Sequence, residues 1–129
     1  MSNDTAIPTT TPEATVDAVL SAYCDPDPAR RQATIAGVWA DDGQLLDPPL
    51  EGRGHAELSA LTDVVLTHFP DHIFRRTSGV DVHHGCGRYS WELVAPTGGV
   101  GVAGIDFVEF TGDGKVARIV GFFGPLPDA

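Results

Sequence analysis

Val100-Gly101-Val102-Ala103-Gly104-Ile105-Asp106-Phe107-Val108-Glu109-Phe110 alternates with a period of two, and its reading decides the fold. On an extended strand Val100, Val102, Asp106, Val108 and Phe110 share one face, because successive side chains point to opposite sides. Working outward, Thr111-Gly112-Asp113-Gly114 is a hairpin turn, and Lys115 to Gly124 is the strand that returns from it. On the other side Pro96-Thr97-Gly98-Gly99 is a second hairpin turn. It is preceded by one long strand, Val82 to Ala95, with bulge positions at Gly85 and Gly87. Ile73 to Thr77 is a further strand, and Gly79 and Asp81 mark the turn after it. Gly101, Gly104 and Gly121 inside these strands predict sharp curvature.

The first half of the chain has helical periodicity instead. Thr11-Pro12-Glu13 combines a capping hydroxyl, a proline at the first helical position and an acid in the first turn. Val16, Val19, Leu20 and Tyr23 then recur at i, i+3, i+4 and i+7. Asp25-Pro26-Asp27-Pro28 ends this helix and starts a second, with Asp27 as its cap. Ile35, Val38 and Trp39 form the second helix's apolar face, and Asp41-Asp42-Gly43 is expected to end it. Gln44 to Asp47 reads as a short extended piece and Glu51-Gly52-Arg53-Gly54 as a turn. A third helix spans His55 to His68, with Pro70 closing it. Helices first and an antiparallel meander after them predict an α+β domain: a curved, cone-shaped antiparallel sheet covered by three N-terminal helices and enclosing one apolar pocket. Residues 1–10 are expected to be a disordered lead, and residues 11–129 a single domain.

Of the 129 residues, 42 % are apolar, enough for one sizeable core without covalent staples. Eight Lys and Arg stand against 18 Asp and Glu, a formal charge of −10, which argues against nucleic acid or an anionic membrane as partner. Cys24 and Cys86 are too few for a disulfide framework and lack metal-ligand spacing. No signal-peptide pattern and no membrane-length apolar run is present, so a soluble, cytoplasmic protein is expected.

Asp106 is the most informative single residue. A carboxyl on an apolar strand face loses hydration when ionised, so its pKa is expected to rise. A neutral carboxylic acid can donate a hydrogen bond to a developing oxyanion; an arginine partner or a wet face would instead give it a structural role. Tyr23 points its hydroxyl from the first helix toward the core or the hollow. Asp47, before Pro48-Pro49, is either an Asp-Pro turn or a general base held by a stiff neighbour. His83 and His84 are adjacent on a strand, so at most one faces the hollow. Trp39, His83, Trp91 and Phe122 are the expected pocket-lining residues.

Three segments carry a family likeness: Val38 to Pro48, Gly104 to Phe110, and Gly112 to Gly124. Over about residues 13–124 the chain resembles the ketosteroid isomerase and SnoaL-like branch of the nuclear transport factor 2-like superfamily. In ketosteroid isomerases a first-helix tyrosine and a protonated late-strand aspartic acid form the oxyanion hole, and an aspartate before a proline moves the proton. The neutral carboxylic acid of that enzyme is a standard example of pKa tuning. By motif the resemblance places these roles on Tyr23, Asp106 and Asp47. It implies a cofactor-free and metal-free isomerase acting on a small apolar cyclic ketone, steroid- or polyketide-like. It also implies a homodimer formed through the open sheet face. Two alternatives stay open: a SnoaL-like polyketide cyclase or dehydratase using His83 or His84, and a non-catalytic module that binds a small ligand or a protein.

Overall fold

The computed structural model describes residues 10–129; the expected disordered lead lies, apart from its last residue, outside the described residues. The first two helices begin where their caps dictate. Thr11 Oγ1 accepts from the Ala14 amide at 3.1 Å, opening α1 (Pro12–Ala22). Asp27 Oδ1 accepts from the Ala29 and Arg30 amides at 3.0 and 3.3 Å, opening α2 (Pro28–Val38). Each cap satisfies amides that the helix leaves unpaired, and each helix has proline at its start.

Trp39 caps α2, its amide donating to the Ile35 carbonyl, and at once begins β1 (Trp39–Asp47), so the expected helix stop at Asp41-Asp42-Gly43 is a bulged stretch of strand. The Trp39 ring folds across Gly43, where a Cβ would lie only 2.5 Å from its Cε3 atom. Pro48 and Pro49, joined by a cis bond, turn the chain into β2 (Leu50–Arg53), which pairs antiparallel with β1. The segment 51–54, expected as a turn, is thus mostly strand. α3 (His55–His68) follows as expected.

The remaining strands are β3 (Ile73–Arg76), β4 (Asp81–His83), β5 (Cys86–Val94), β6 (Val100–Phe110) and β7 (Val116–Phe123). The single long strand expected over 82–95 is instead the β4–β5 hairpin. His84 and Gly85 form its two-residue turn, with φ of 49° and 76°, as the twist-matched hairpin turn requires. The seven strands form one sheet in the order β2-β1-β7-β6-β5-β3, with β4 paired to β5. Every pairing is antiparallel except β1 with β7, so the curved sheet is mixed. The parallel pair arises because β1 enters the sheet from the helical half, beside the last strand of the meander.

The core fills the space between the helices and the concave sheet face. Val16, Val19 and Leu20 of α1, Ile35 of α2 and Leu58 of α3 meet Trp39, Tyr89, Trp91, Val108 and Ile119 of the sheet. The alternation in β6 runs as the sequence requires: Asp106 and Val108 are buried, whereas Ile105 and Phe107 are exposed. Two buried polar side chains tie the helical layer together. Thr62 Oγ1, fully buried, donates to the Ala22 carbonyl at 2.8 Å, and buried Arg31 donates to the Asp25 and Ser59 carbonyls at 3.0 and 3.2 Å. Both cysteines are free and half-buried. Among the described residues no helix is long and apolar enough to cross a membrane.

The Thr62 bond fixes the C-terminal end of α1, immediately before Tyr23. Thr62→Val keeps the shape but leaves the Ala22 carbonyl with only the long bond from the Asp25 amide, at 3.5 Å. We expect it to lower unfolding stability by about 1–3 kcal/mol in urea denaturation. A change below about 0.5 kcal/mol would mean that the carbonyl finds another partner.

Candidate active site

Asp106 is 3 % exposed on the inward face of β6. Tyr89 stands directly opposite it on β5, and Trp91 lies two residues further along the same face, opposite Gly104. The Tyr89 hydroxyl donates to Asp106 Oδ2 at 2.7 Å, and Trp91 Nε1 donates to Oδ1 at 2.9 Å. The indole reaches that oxygen because position 104 has no side chain: a Cβ there would lie 2.6 Å from Trp91 Cζ2 and 2.5 Å from the Phe122 carbonyl oxygen. Burial pushes the Asp106 pKa up to about 6. The bonds from Tyr89 and Trp91 oppose that rise by favouring the carboxylate, and the charge of Asp47 adds to it.

Asp47, the last residue of β1, approaches the same point from the other side of β7. A Cβ on Gly121 would lie 2.7 Å from Asp106 Oδ1 and 2.7 Å from Asp47 Oδ2. Glycine at 121 therefore lets two carboxyl groups face each other across one α-carbon. Burial raises the Asp47 pKa, and its Oδ1 atom is buried with no hydrogen-bond partner. Tyr23, at the C-terminal end of α1, packs edge-on against Phe74 with ring centroids 5.5 Å apart. Its hydroxyl is likewise buried without a partner. Desolvation, followed by the charges of Asp106 and Asp47, holds its pKa well above the ordinary value, so the phenol remains a proton donor.

Tyr23, Asp47, Asp106 and Trp91 surround a recess of about 20 Å³. A space of that size holds one water-sized group. Asp47, Leu50, Val65, Phe74 and Trp91 line both the recess and a larger cavity of about 420 Å³. Val64, Phe69, Leu93, Val102 and Phe123 make the larger cavity's walls apolar, and His68 adds a polar group. Its volume suits a small organic molecule. The arrangement is an apolar chamber with its hydrogen-bonding groups gathered at one end. Among the described residues no group of three or more His, Cys, Asp or Glu side chains is arranged to hold a metal ion.

Of the residues singled out from the sequence, Tyr23, Asp47 and Asp106 converge on the recess, and Trp91 lines it. Four others lie elsewhere. Trp39 is packed in the core against Gly43, because it starts β1 rather than ending a helix. His83 lies on exposed β4 with its Nδ1 3.1 Å from that of His84, in a separate outer hollow beside Asp81, Arg88 and Phe107. His84 sits in the β4–β5 turn, so neither histidine reaches the chamber. Phe122 points outward, 68 % exposed, and its neighbour Phe123 lines the chamber instead. From the sequence Tyr89 is an aromatic that could line the pocket or fill the core, with no sign that it pairs with Asp106. It falls opposite Asp106 only because the β5–β6 ladder shifts register between Leu93 and Val94, an irregularity that no residue pattern announces.

No protein-family model and no curated protein matches the chain. Solved structures do. A candidate isomerase of the SnoaL-like family from Agrobacterium tumefaciens is 26 % identical, with a TM-score of 0.81 over 88 % of this chain and 97 % of that one. A protein with a ketosteroid isomerase-like fold from Catenulispora acidiphila, solved in complex with trimethylamine, is 17 % identical, with a TM-score of 0.67 over 88 % of this chain and 86 % of that one. A candidate SnoaL-like polyketide cyclase from Jannaschia is 16 % identical, with a TM-score of 0.61 over 84 % of each chain. The fold is that of the nuclear transport factor 2-like superfamily in its SnoaL-like and ketosteroid isomerase-like form.

The raised pKa of Asp106 has a thermodynamic consequence. Ionisation is disfavoured in the folded state, so folding stability falls as pH rises from about 3.8 through about 6 and then levels off. A shift of this size corresponds to about 3 kcal/mol. Asn at 106 cannot ionise and can still accept from Trp91. We expect Asp106→Asn to be more stable than the parent at pH 7, with that advantage shrinking toward pH 4 in urea denaturation. A constant difference across this range would contradict the shift.

Proposed function

We propose that the chain is a cofactor-independent enzyme that moves a proton α to a carbonyl, isomerising a double bond in a small apolar cyclic ketone. One observation carries this reading: the Tyr23 hydroxyl and Asp47 Oδ1 are both buried, both unpaired, and both at the recess. A buried polar group without a partner is costly, and a ligand group that pairs with it offsets that cost. The recess has room for one oxygen, which would accept from Tyr23. Asp47 would take the proton from the α-carbon and return it nearby, its raised pKa making it a better base than an exposed aspartate. Preorganised donors would stabilise the dienolate oxygen. Asp106 joins Tyr23 as a donor in its protonated form, because an acid hydrogen leaves lone pairs free to accept from Tyr89 and Trp91. Two of the structural neighbours are described as a candidate isomerase and a ketosteroid isomerase-like fold, which supports this chemistry. A polyketide ring closure would use the same base and donors in the same chamber, without His83 or His84.

An unconjugated ketosteroid and a β,γ-unsaturated cyclohexenone, followed by conjugated-enone absorbance, test the proposal. Turnover above background is expected. Asp47→Asn should cost roughly 100- to 10,000-fold in kcat, and Tyr23→Phe about 100- to 1,000-fold. No turnover on either ketone, or full activity in Asp47→Asn, would sink it. If Asp106 acts as a donor, kcat also falls as pH rises through about 6, and Asp106→Asn loses that dependence.

We also propose that two copies pair through the outer sheet face. Ile105 and Phe122 are cross-strand partners there, 56 % and 68 % exposed, and Phe107 extends the patch. An exposed apolar row of this kind commonly marks an interface. Light scattering at micromolar concentration should give twice the chain mass, and Phe122→Ser with Ile105→Ser should give the single mass. A monomeric parent protein would refute the pairing.

A further inference from the structure

Among the described residues the chamber is lined by two carboxyl groups and by no lysine or arginine. The two acids, Asp47 and Asp106, crowd around Gly121. The titratable groups facing the two acids are Tyr23 from α1 and Tyr89 from β5, both phenols; His68 of α3 lines only the larger cavity. Asp106 already accepts from Tyr89 and Trp91. Asp47 Oδ1 accepts from nothing. What it lacks is a donor, and the group best matched to a carboxylate in an apolar wall is a cationic donor.

The walls suit the same kind of group. Tyr23, Phe74 and Trp91 form a run of edge-to-face rings, with both successive centroid separations at 5.5 Å. All three line the recess beside Asp47. Aromatic faces attract cations, and more strongly when water is excluded. The formal charge of −10 raises the local concentration of cations around the whole molecule.

We infer that this chamber is a binding site for a protonated aliphatic amine, its N–H⁺ seated in the recess against Asp47 and its apolar body filling the larger cavity. A neutral ligand would bury the carboxylates further without compensating them, whereas an ammonium supplies both the donor and the charge. The inference rests on the cavity and its charges, not on the isomerase reading. In an enzyme of that kind the amine would compete with the ketone for the recess.

Cyclohexylamine and cyclohexanol provide the test, since both donate a hydrogen bond from a similar frame and only the amine is charged near neutral pH. Binding is read at pH 7.5 by titration calorimetry and by NMR shifts of the Trp91 indole. Cyclohexylammonium is expected to bind roughly 10- to 100-fold more tightly than cyclohexanol, the range for a hydrogen bond to a charged group. Asp47→Asn should remove most of that preference. Asp113→Asn, a charge loss on the far β6–β7 turn, should leave it intact. If Asp47→Asn does not fold, Phe74→Leu provides the second probe: it removes an aromatic face beside Asp47 and should weaken amine binding more than alcohol binding. Affinity should also fall as pH drops through about 6, where Asp106 gains its proton. Equal affinity for amine and alcohol would overturn the inference, as would equal losses in Asp47→Asn and Asp113→Asn. Amine binding without ketone turnover would leave it standing and sink only the isomerase reading.

Discussion

The two hydrogen bonds that Tyr89 and Trp91 donate to Asp106 are the constraint on which the rest of this molecule depends. A carboxyl group 3 % exposed on an apolar sheet face is costly unless its oxygens have partners. Strand β5 supplies both partners from one face, one directly across the ladder and one diagonal to it. This leaves Asp106 rigid and partly compensated, with a pKa near 6 set by burial against those bonds. A residue poised in this way can serve as an acceptor or as an acid, which is why its environment matters more than its identity.

Asp106 also imposes demands on the backbone around it. Gly104 has no side chain because the Trp91 indole lies over it, and Gly121 has none because two carboxyl groups close on it. In both places glycine is a matter of space, not of an unusual backbone angle. At both, side chains from neighbouring strands occupy the volume that a Cβ would take.

The chamber gains its character from what remains unpaired. Tyr23 arrives from the helical layer, where Thr62 anchors the end of α1, and Asp47 arrives on the single strand that pairs in parallel with the meander. Neither finds a partner among the described residues. An unsatisfied donor and an unsatisfied acceptor at the closed end of an apolar cavity define the class of ligand by polarity before any substrate is named. A carbonyl oxygen answers the tyrosine; an ammonium answers the aspartate.

Much of the fold was legible in the residues, because short-range rules govern it. The capped prolines opened α1 and α2, the hairpin glycines bounded β6 and β7, and the period of two put Asp106 on the buried face. Family likeness brought Tyr23 and Asp47 to the same site as Asp106. What the tertiary structure alone decided was everything that depends on register and on crossings between layers. Trp39 became a strand residue because its ring needed Gly43 beneath it, and 82–95 became a hairpin because two residues adopted left-handed angles. A register shift moved Tyr89 opposite Asp106, and an irregularity at the start of β7 set Ile119, Gly121 and Phe123 on the inward face, which placed Phe123, not Phe122, in the chamber. A one-residue slip in a strand exchanges its two faces, and local sequence contains no term for it. The sequence by itself thus determined the elements and which acid would be buried; the tertiary structure decided that acid's partners and left Tyr23 and Asp47 unpaired.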